Sequence, residues 1–330
     1  MTVLRETARR LGIGHGLLTL RHHAMLGVRG TLELRSARKS TLPEIRKAAP
    51  AKMPSASATQ VHMLLGHSRI DEALWSLLSL NHFADAPVGV VIHDDGTITA
   101  DDAALLAEKL PGLRLISRAE SDAVVEDKLF SMGLTKSVAF RKSLFFARKM
   151  FDPNVFARDA SYVLIDSDVV FFSNPVDLLG VAPTGKAADS RARYSVDNGY
   201  RYSLSEAEMS EMIGRKPTGP INAGVLRLNK TDLDFSRIER YLTHPGLFRE
   251  NQIPDYYAEM TIYALELTIA DAQPLPLSYA VAPPIPTDRE FVAGHYCGGI
   301  MSAHMYYTRA LPMLGRVLLH PDGRNCSRSA

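Results

Sequence analysis

Ser161-Tyr162-Val163-Leu164-Ile165-Asp166-Ser167-Asp168-Val169-Val170-Phe171-Phe172 is the stretch that sets the reading of this chain. Five residues with the pattern of a strand buried on both faces run into two acids separated by one serine, and apolar residues resume at once. In open α/β sheets, ligands bind at the carboxyl ends of strands. Residues i and i+2 of a strand share a face, so an extended backbone through Ser167 would aim both carboxylates at one spot. Two carboxylates converging in a poorly solvated crevice repel unless a cation or shared proton intervenes. A divalent metal with oxygen ligands, shared with phosphate, meets that need. The same three residues are also an ordinary turn and helix-cap signal.

On either side, strands and helices alternate. Val61–Leu65, Val88–Ile92 and Leu113–Ile116 read as short buried strands. Ile70 to Leu80 and Thr99 to Leu110 show helical spacing. Ser137 to Met150 reads as one basic helix carrying Arg141, Lys142, Arg148 and Lys149, leading through Asp152-Pro153-Asn154 to the opening strand. Gly180 to Gly219 is polar, with a capping box at Ser205 and Glu208, and has the character of a lid or binding loop. Ile221-Asn222-Ala223-Gly224-Val225 begins a further strand whose small residues would let a ligand approach the backbone. Asp255 to Ala270 reads as a helix with Glu259 in its first turns, and Met301 to Leu319 as another. The fold class is α/β, with a mixed, mainly parallel sheet flanked by helices in a single large domain.

Composition is that of a soluble globular protein: 330 residues, 46% hydrophobic and 22% charged. Its two cysteines, Cys297 and Cys326, give no disulfide framework, and no stretch has the length of a membrane span. These features lead us to expect a cytoplasmic protein. Residues 1–52 hold eleven Lys/Arg against three Asp/Glu, a net of +8, which leaves −6 for the rest of a chain of net charge +2. With Leu4, Leu11, Ile13, Leu17, Leu18 and Leu20 as an apolar face, this arm is a candidate for peripheral contact with an anionic membrane. No aromatic residues interleave its charges, so no nucleic-acid partner is expected. A Pro/Ala/Ser linker closes the arm. The expected organisation is an arm and linker over 1–58, a folded domain over 59–320 and a polar tail over 321–330.

Together, Ile165-Asp166-Ser167-Asp168, Ile221-Asn222-Ala223-Gly224-Val225 and Gly294-His295-Tyr296 resemble the GT-A-fold (Rossmann-like) glycosyltransferases. The closest likeness is to the retaining group that includes glycogenin and lipopolysaccharide galactosyltransferases. The resemblance spans about residues 60–310. It implies metal-dependent transfer of a sugar, with retention, from a nucleotide-diphosphate donor, with a UDP-sugar expected, to a glycan or glycolipid acceptor. It makes Asp166, Asp168 and His295 metal ligands, and it makes Asn222, with Ala223 and Ser167, a contact to the donor. Glu259 takes the place of the family's acid near the anomeric carbon, although Met260 stands where an amide is usual. Phe140-Arg141-Lys142 corresponds to a nucleotide-contacting Y-x-R, which offers Arg141 and Lys142. The family's K-P-W after the histidine is missing.

A histidine among the ligands favours Mn²⁺ over Mg²⁺. His304 is an alternative ligand, and Cys297 reads as a core thiol. Asp168 is the expected direct ligand, with Asp166 shared with the donor's ribose or sugar. Two other functions compete. One is a haloacid-dehalogenase-type phosphohydrolase, which also places D-x-D after a strand. The other is a non-catalytic nucleotide-sugar-binding module of the same fold.

Overall fold

Strand and helix alternate through the first half of the chain. The structure, a computed structural model, describes residues 13–56, 58–180, 190–199, 201–283 and 291–320. The polar tail and Cys326 lie outside the described residues, as do residues 1–12 and part of the Gly180–Gly219 loop.

Strands β1 (Gln60–Leu65), β2 (Gly89–Asp94), β3 (Arg114–Ile116) and β4 (Ser161–Ile165) run parallel in the order β3-β2-β1-β4. The sheet continues from β4 through β7 (Ile221–Asn229), β6 (Arg193–Val196) and β8 (Gln273–Pro274). Here β7 is antiparallel to both its neighbours, and β6 and β8 are parallel. A second sheet of three strands joins β5 (Val169–Phe171), β10 (Ala293–His295) and β9 (Tyr279–Val281).

The period of two along β4 divides the core. Val163 and Ile165 pack on one face, with helices α2 (Ile70–Phe83) and α3 (Ala100–Lys109). Tyr162 and Leu164 pack on the other, with α4 (Arg118–Ser131), α5 (Thr135–Ser143), α6 (Arg148–Phe156) and α8 (Ala258–Ile269). The helix α7 (Glu206–Ile213) lies inside the Gly180–Gly219 loop, as does β6, so the described part of that loop is more regular than its composition indicates.

Three sequence expectations are corrected. The backbone is not extended through Ser167: β4 ends at Ile165, and the Val169 amide closes a turn on the Asp166 carbonyl at 3.2 Å. The 137–150 segment is two helices, because Leu144 is extended and a short 3₁₀ turn over Phe145–Ala147 resets the helix phase. Asp152-Pro153-Asn154 lies inside α6 and is not the connection to β4.

Part of the arm packs against the domain that follows. Helix α1 (Ile13–Thr41) breaks at Gly27, and Leu34, Leu42 and Ile45 are buried in the first core. The indole of Trp75 donates to the Leu42 carbonyl at 2.9 Å. The Ala51 amide and the Lys109 side chain add cross-links to the linker. The folded unit therefore begins before residue 59. Helices α9 (Ile300–Met305) and α10 (Leu311–Leu318) complete this layer beside α1.

Candidate active site

Two backbone hydrogen bonds and one strand pairing assemble the site from distant parts of the chain. The Asp166 amide bonds the Gly224 carbonyl at 2.9 Å, fixing the end of β4 on the start of β7. The Tyr296 amide bonds the Asp168 carbonyl at 3.0 Å, and His295 pairs with Val169 between β10 and β5. The turn at Ser167 sends the chain from one sheet into the other, and so delivers both acids to the histidine.

Asp168 Oδ1 lies 3.1 Å from His295 Nε2, and Asp166 Oδ2 lies 3.7 Å from it. One ligand atom from each of the three residues falls within 4.8 Å of the others. The imidazole is buried, and neither ring nitrogen has an aligned hydrogen-bond partner. Two carboxylates crowding an orphaned buried imidazole suit a shared cation better than a hydrogen bond. Burial opposes protonation of His295, but Cys297 and Asp168 outweigh it and hold the imidazole well above its usual value. Burial raises the Asp168 carboxyl, yet His295 and Arg69 bring it below its usual value. The negative field that draws a proton to His295 would equally draw a metal ion.

A cleft of about 390 Å³ opens beside these groups. Asn222, Gly224, Glu259 and Lys149 line it, with Phe146, Tyr256, Tyr257, Asp197 and Arg201. Asn222 is held by its own strand: its Oδ1 accepts from the Gly224 amide at 2.8 Å, and its Nδ2 reaches Asp197 at 3.3 Å. Lys149 Nζ donates to Asp166 Oδ1 at 2.7 Å. Burial lowers that amine, but Asp166 and Glu259 together raise it above its ordinary value. Glu259 is buried, its Oε1 has no hydrogen-bond partner among the described residues, and burial pushes its carboxyl up to about 7 against the pull of Lys149. A buried acid with an unmet oxygen facing a cleft is what a ligand-binding or reacting group looks like before its ligand arrives.

Solved structures share this fold. The galactosyltransferase LgtC, solved in complex with donor and acceptor sugar analogs, superposes with a TM-score of 0.52 at 15% identity, over 79% of this chain and 96% of that one. The fold is that of the GT-A glycosyltransferases. The Streptococcus pneumoniae glycosyltransferase GlyE is more distant, with a TM-score of 0.47 at 12% identity over 83% of this chain and 66% of that one. Mouse xyloside xylosyltransferase 1 has a TM-score of 0.43 at 14% identity, over 76% and 93%. No protein-family model matches the sequence, and no curated protein matches it.

Within this GT-A framework, Asp166, Asp168, His295, Asn222 and Glu259 converge. Other expected site residues do not. Arg141 is fully buried behind the sheet, where it bonds Asp152, Asp122 and Ser121. Lys142 is half-exposed and pairs with Glu126 at 2.7 Å. Neither lines the cleft; the break at Leu144 turns α6 so that Lys149 does. Ala223 points into the opposite core, as strand alternation requires with Asn222 and Gly224 facing the cleft. Ser167 sits half-buried at the tip of the turn and does not line the cleft. His304 faces Glu33 at 3.4 Å, away from the acids. Cys297, expected as a core thiol, is half-buried on the cleft wall, 3.9 Å from Asn222 Nδ2.

By sequence, the small pair Ala223-Gly224 leaves room for a ligand. What approaches Gly224 is the His295 ring: a Cβ there would lie 2.0 Å from Cε1. Lys149 was missed as a site residue, because four cations share the segment and only the helix break selects one of them.

Proposed function

We propose that this chain is a metal-dependent glycosyltransferase. It would take a sugar from a nucleotide-diphosphate donor, a UDP-sugar by expectation, and pass it with retention to a glycan or glycolipid acceptor. The carrying observation is the convergence of Asp166, Asp168 and His295 at a cleft that also holds Asn222, Lys149 and Glu259. Asp166, Asp168 and His295 would hold a divalent cation, with the imidazole favouring Mn²⁺ over Mg²⁺. Bound there, the cation supplies electrostatic stabilisation of a diphosphate leaving group. Lys149 adds a fixed positive charge on the other side of Asp166. Asn222, locked by Gly224 and Asp197, is oriented to meet donor hydroxyls. Glu259 lies within the cleft with an acceptor oxygen available to orient the sugar, or to stabilise positive charge developing on its ring. That LgtC was solved with donor and acceptor sugar analogs supports a two-substrate reading.

A thermal-shift panel of nucleoside diphosphates with and without Mn²⁺ tests the reading. Stabilisation that needs both components and disappears in Asp168→Ala is expected; no response to any nucleotide would overturn it. The phosphohydrolase alternative lacks support in this topology, where the acids follow the fourth strand, at the centre of the sheet. The non-catalytic alternative predicts no metal-dependent release of free sugar from the preferred donor, whereas Glu259 with its unmet oxygen favours turnover.

Among the described residues, no helix is long and apolar enough to cross a membrane. We place the enzyme in the cytoplasm, with peripheral membrane contact through residues 1–52. Met25, Val28 and Leu32 are 50%, 62% and 58% exposed there, beside the exposed Arg29, Arg38 and Lys39, a mixture suited to anionic headgroups. Through α9, this helix adjoins the Gly298 rim of the cleft, a placement suited to an acceptor carried on a lipid.

A further inference from the structure

Four aromatic rings run in edge-to-face contact beside the cleft. Between ring centres, Phe145 and Phe146 lie 5.4 Å apart, Phe146 and Tyr256 5.8 Å, and Tyr256 and Tyr257 5.1 Å, with interplanar angles of 76°, 88° and 90°. Phe146, Tyr256 and Tyr257 line the cleft, and the Lys149 ammonium sits 5.7 Å from the centre of the Phe146 ring. Two of the rings are open to water: Phe145 is 46% exposed and Tyr256 55%. Scattered exposed apolar side chains are ordinary, whereas contiguous rings at the edge of a pocket mark a binding surface. These rings are also held in place. Asp255 pins the segment that carries Tyr256: its Oδ1 accepts from the Tyr257 amide at 3.0 Å and from Ser203 Oγ at 2.9 Å, and its Oδ2 from Arg249 Nε at 2.7 Å. The 3₁₀ turn over Phe145–Ala147 fixes the backbone of Phe145 and Phe146. A ring fixed in water by its backbone cannot fold away to hide its surface, and it meets a ligand with little ordering cost.

We propose that Phe145, Phe146 and Tyr256 form an acceptor platform, on which a glycan acceptor lays the C–H face of one sugar ring. This deepens the glycosyltransferase reading above and rests on it. The surface suits a sugar better than an acyl chain or a nucleobase. A pyranose has an apolar face ringed by hydroxyls, and the rings here are framed by polar groups: the Tyr256 hydroxyl, Asp255 and the exposed Arg249. Burial, Tyr257 and Glu259 raise the Tyr256 hydroxyl above its ordinary value, so it is a protonated donor at neutral pH. An acyl chain leaves such groups unmatched. Nucleotides in open α/β sheets take the crevice where the strand order reverses, here between β1 and β4. Tyr256 instead leads into α8, which packs on β7, beyond β4. Glu259 follows Tyr256 by three residues, so a sugar on the platform stands next to the group that would meet the donor sugar.

Saturation-transfer NMR on the full-length protein with Mg²⁺ and UDP reads the contact directly, because saturation passes from protein protons to the ligand protons that touch them. The probes are the α- and β-methyl glycosides of glucose, galactose, mannose and N-acetylglucosamine, with octyl β-glucoside to reveal a contact made by an alkyl chain. At least one methyl glycoside is expected to take saturation on its ring C–H protons. Tyr256→Ala should bind it about three- to tenfold more weakly, whereas Tyr256→Phe, which keeps the ring, should stay close to the parent. Phe145→Ala, at an exposed position, should weaken binding in the same direction and is the second variant should Tyr256→Ala not fold. No saturation of any methyl glycoside would overturn the proposal, as would unchanged binding in folded Tyr256→Ala and Phe145→Ala proteins, or saturation of the octyl chain alone. Loss of saturation at the uracil protons in Tyr256→Ala would also overturn it, by assigning the rings to the base. If UDP does not bind the parent while a glycoside binds on the rings, the donor reading fails and the platform stands as a sugar-binding site.

Discussion

At the residue scale, the position with least freedom is Gly224. It faces the cleft from β7, and the His295 ring lies against its backbone. Alanine there would put a methyl 2.0 Å from Cε1 and 2.7 Å from Nε2, distances that real atoms do not adopt. The imidazole is buried, so relief must come from moving the ring or the strand. We expect Gly224→Ala to destabilise the protein by about 1–3 kcal/mol and to abolish Mn²⁺ binding. A metal titration alongside a denaturation curve checks both; a variant that binds Mn²⁺ like the parent would refute the close-packing argument. The small residue was visible in the sequence, but its partner was not, since 71 positions separate Gly224 from His295 in the chain. The same holds for the cations. Arg141, Lys142, Arg148 and Lys149 are alike on paper, and burial assigns Arg141 to Asp152 while exposing Lys142.

At the element scale, the decisive feature is the turn between β4 and β5. Both sequence readings of Asp166-Ser167-Asp168 hold: it is a turn, and it brings the two acids together. A turn achieves what an extended strand was expected to achieve, because β5 leaves the main sheet and pairs with the strand that carries His295.

The β1–β2 pair carries a different polar feature. His62 Nδ1 and His93 Nε2 lie 2.9 Å apart inside the sheet, with the rings stacked at 5.2 Å. Burial drives both imidazoles toward the neutral form, His93 down to about 3 and His62 well below its usual value. Above about pH 6.5 neither the folded nor the unfolded state holds these protons, and stability is unaffected. As pH falls below that value the unfolded chain takes them up and the folded chain does not, so stability is lost down toward pH 3. Between pH 6.5 and 5, His93 alone should remove about 2 kcal/mol. Urea midpoints at the two pH values check this. Replacing both histidines by phenylalanine should flatten the dependence, and an unaltered slope would show that other groups carry it.

At the scale of the whole molecule, three layers enclose two cores, and the N-terminal segment belongs to one of them. Ile45 is fully buried, and Leu42 receives the hydrogen bond of Trp75, the chain's single tryptophan. Ile45→Ala should cost about 2–5 kcal/mol. Removing residues 1–48 should uncover the indole and shift its fluorescence to the red. A truncated protein with parental emission and stability would return this segment to the status of a loose arm. Charge and composition separated residues 1–58 from the rest, yet that signal reports solvent-facing side chains. It is silent about which apolar side chains, here Leu34, Leu42 and Ile45, turn inward.

The sequence alone determined the alternation of strand and helix and the central β4 strand, which follow from periodicities of two and 3.6 residues that are local in the chain. That Asp166, Asp168, Asn222, Glu259 and His295 share a site was only implied by the order of motifs and the family resemblance it carries. Tertiary structure alone decided which cation meets Asp166, why position 224 must be glycine, that Cys297 lines the cleft, and where the folded unit begins. Each of these depends on contacts between distant segments. Such contacts are set by how the helix phase is reset at Leu144 and by how β5 crosses to β10, and no local pattern of residue types encodes either.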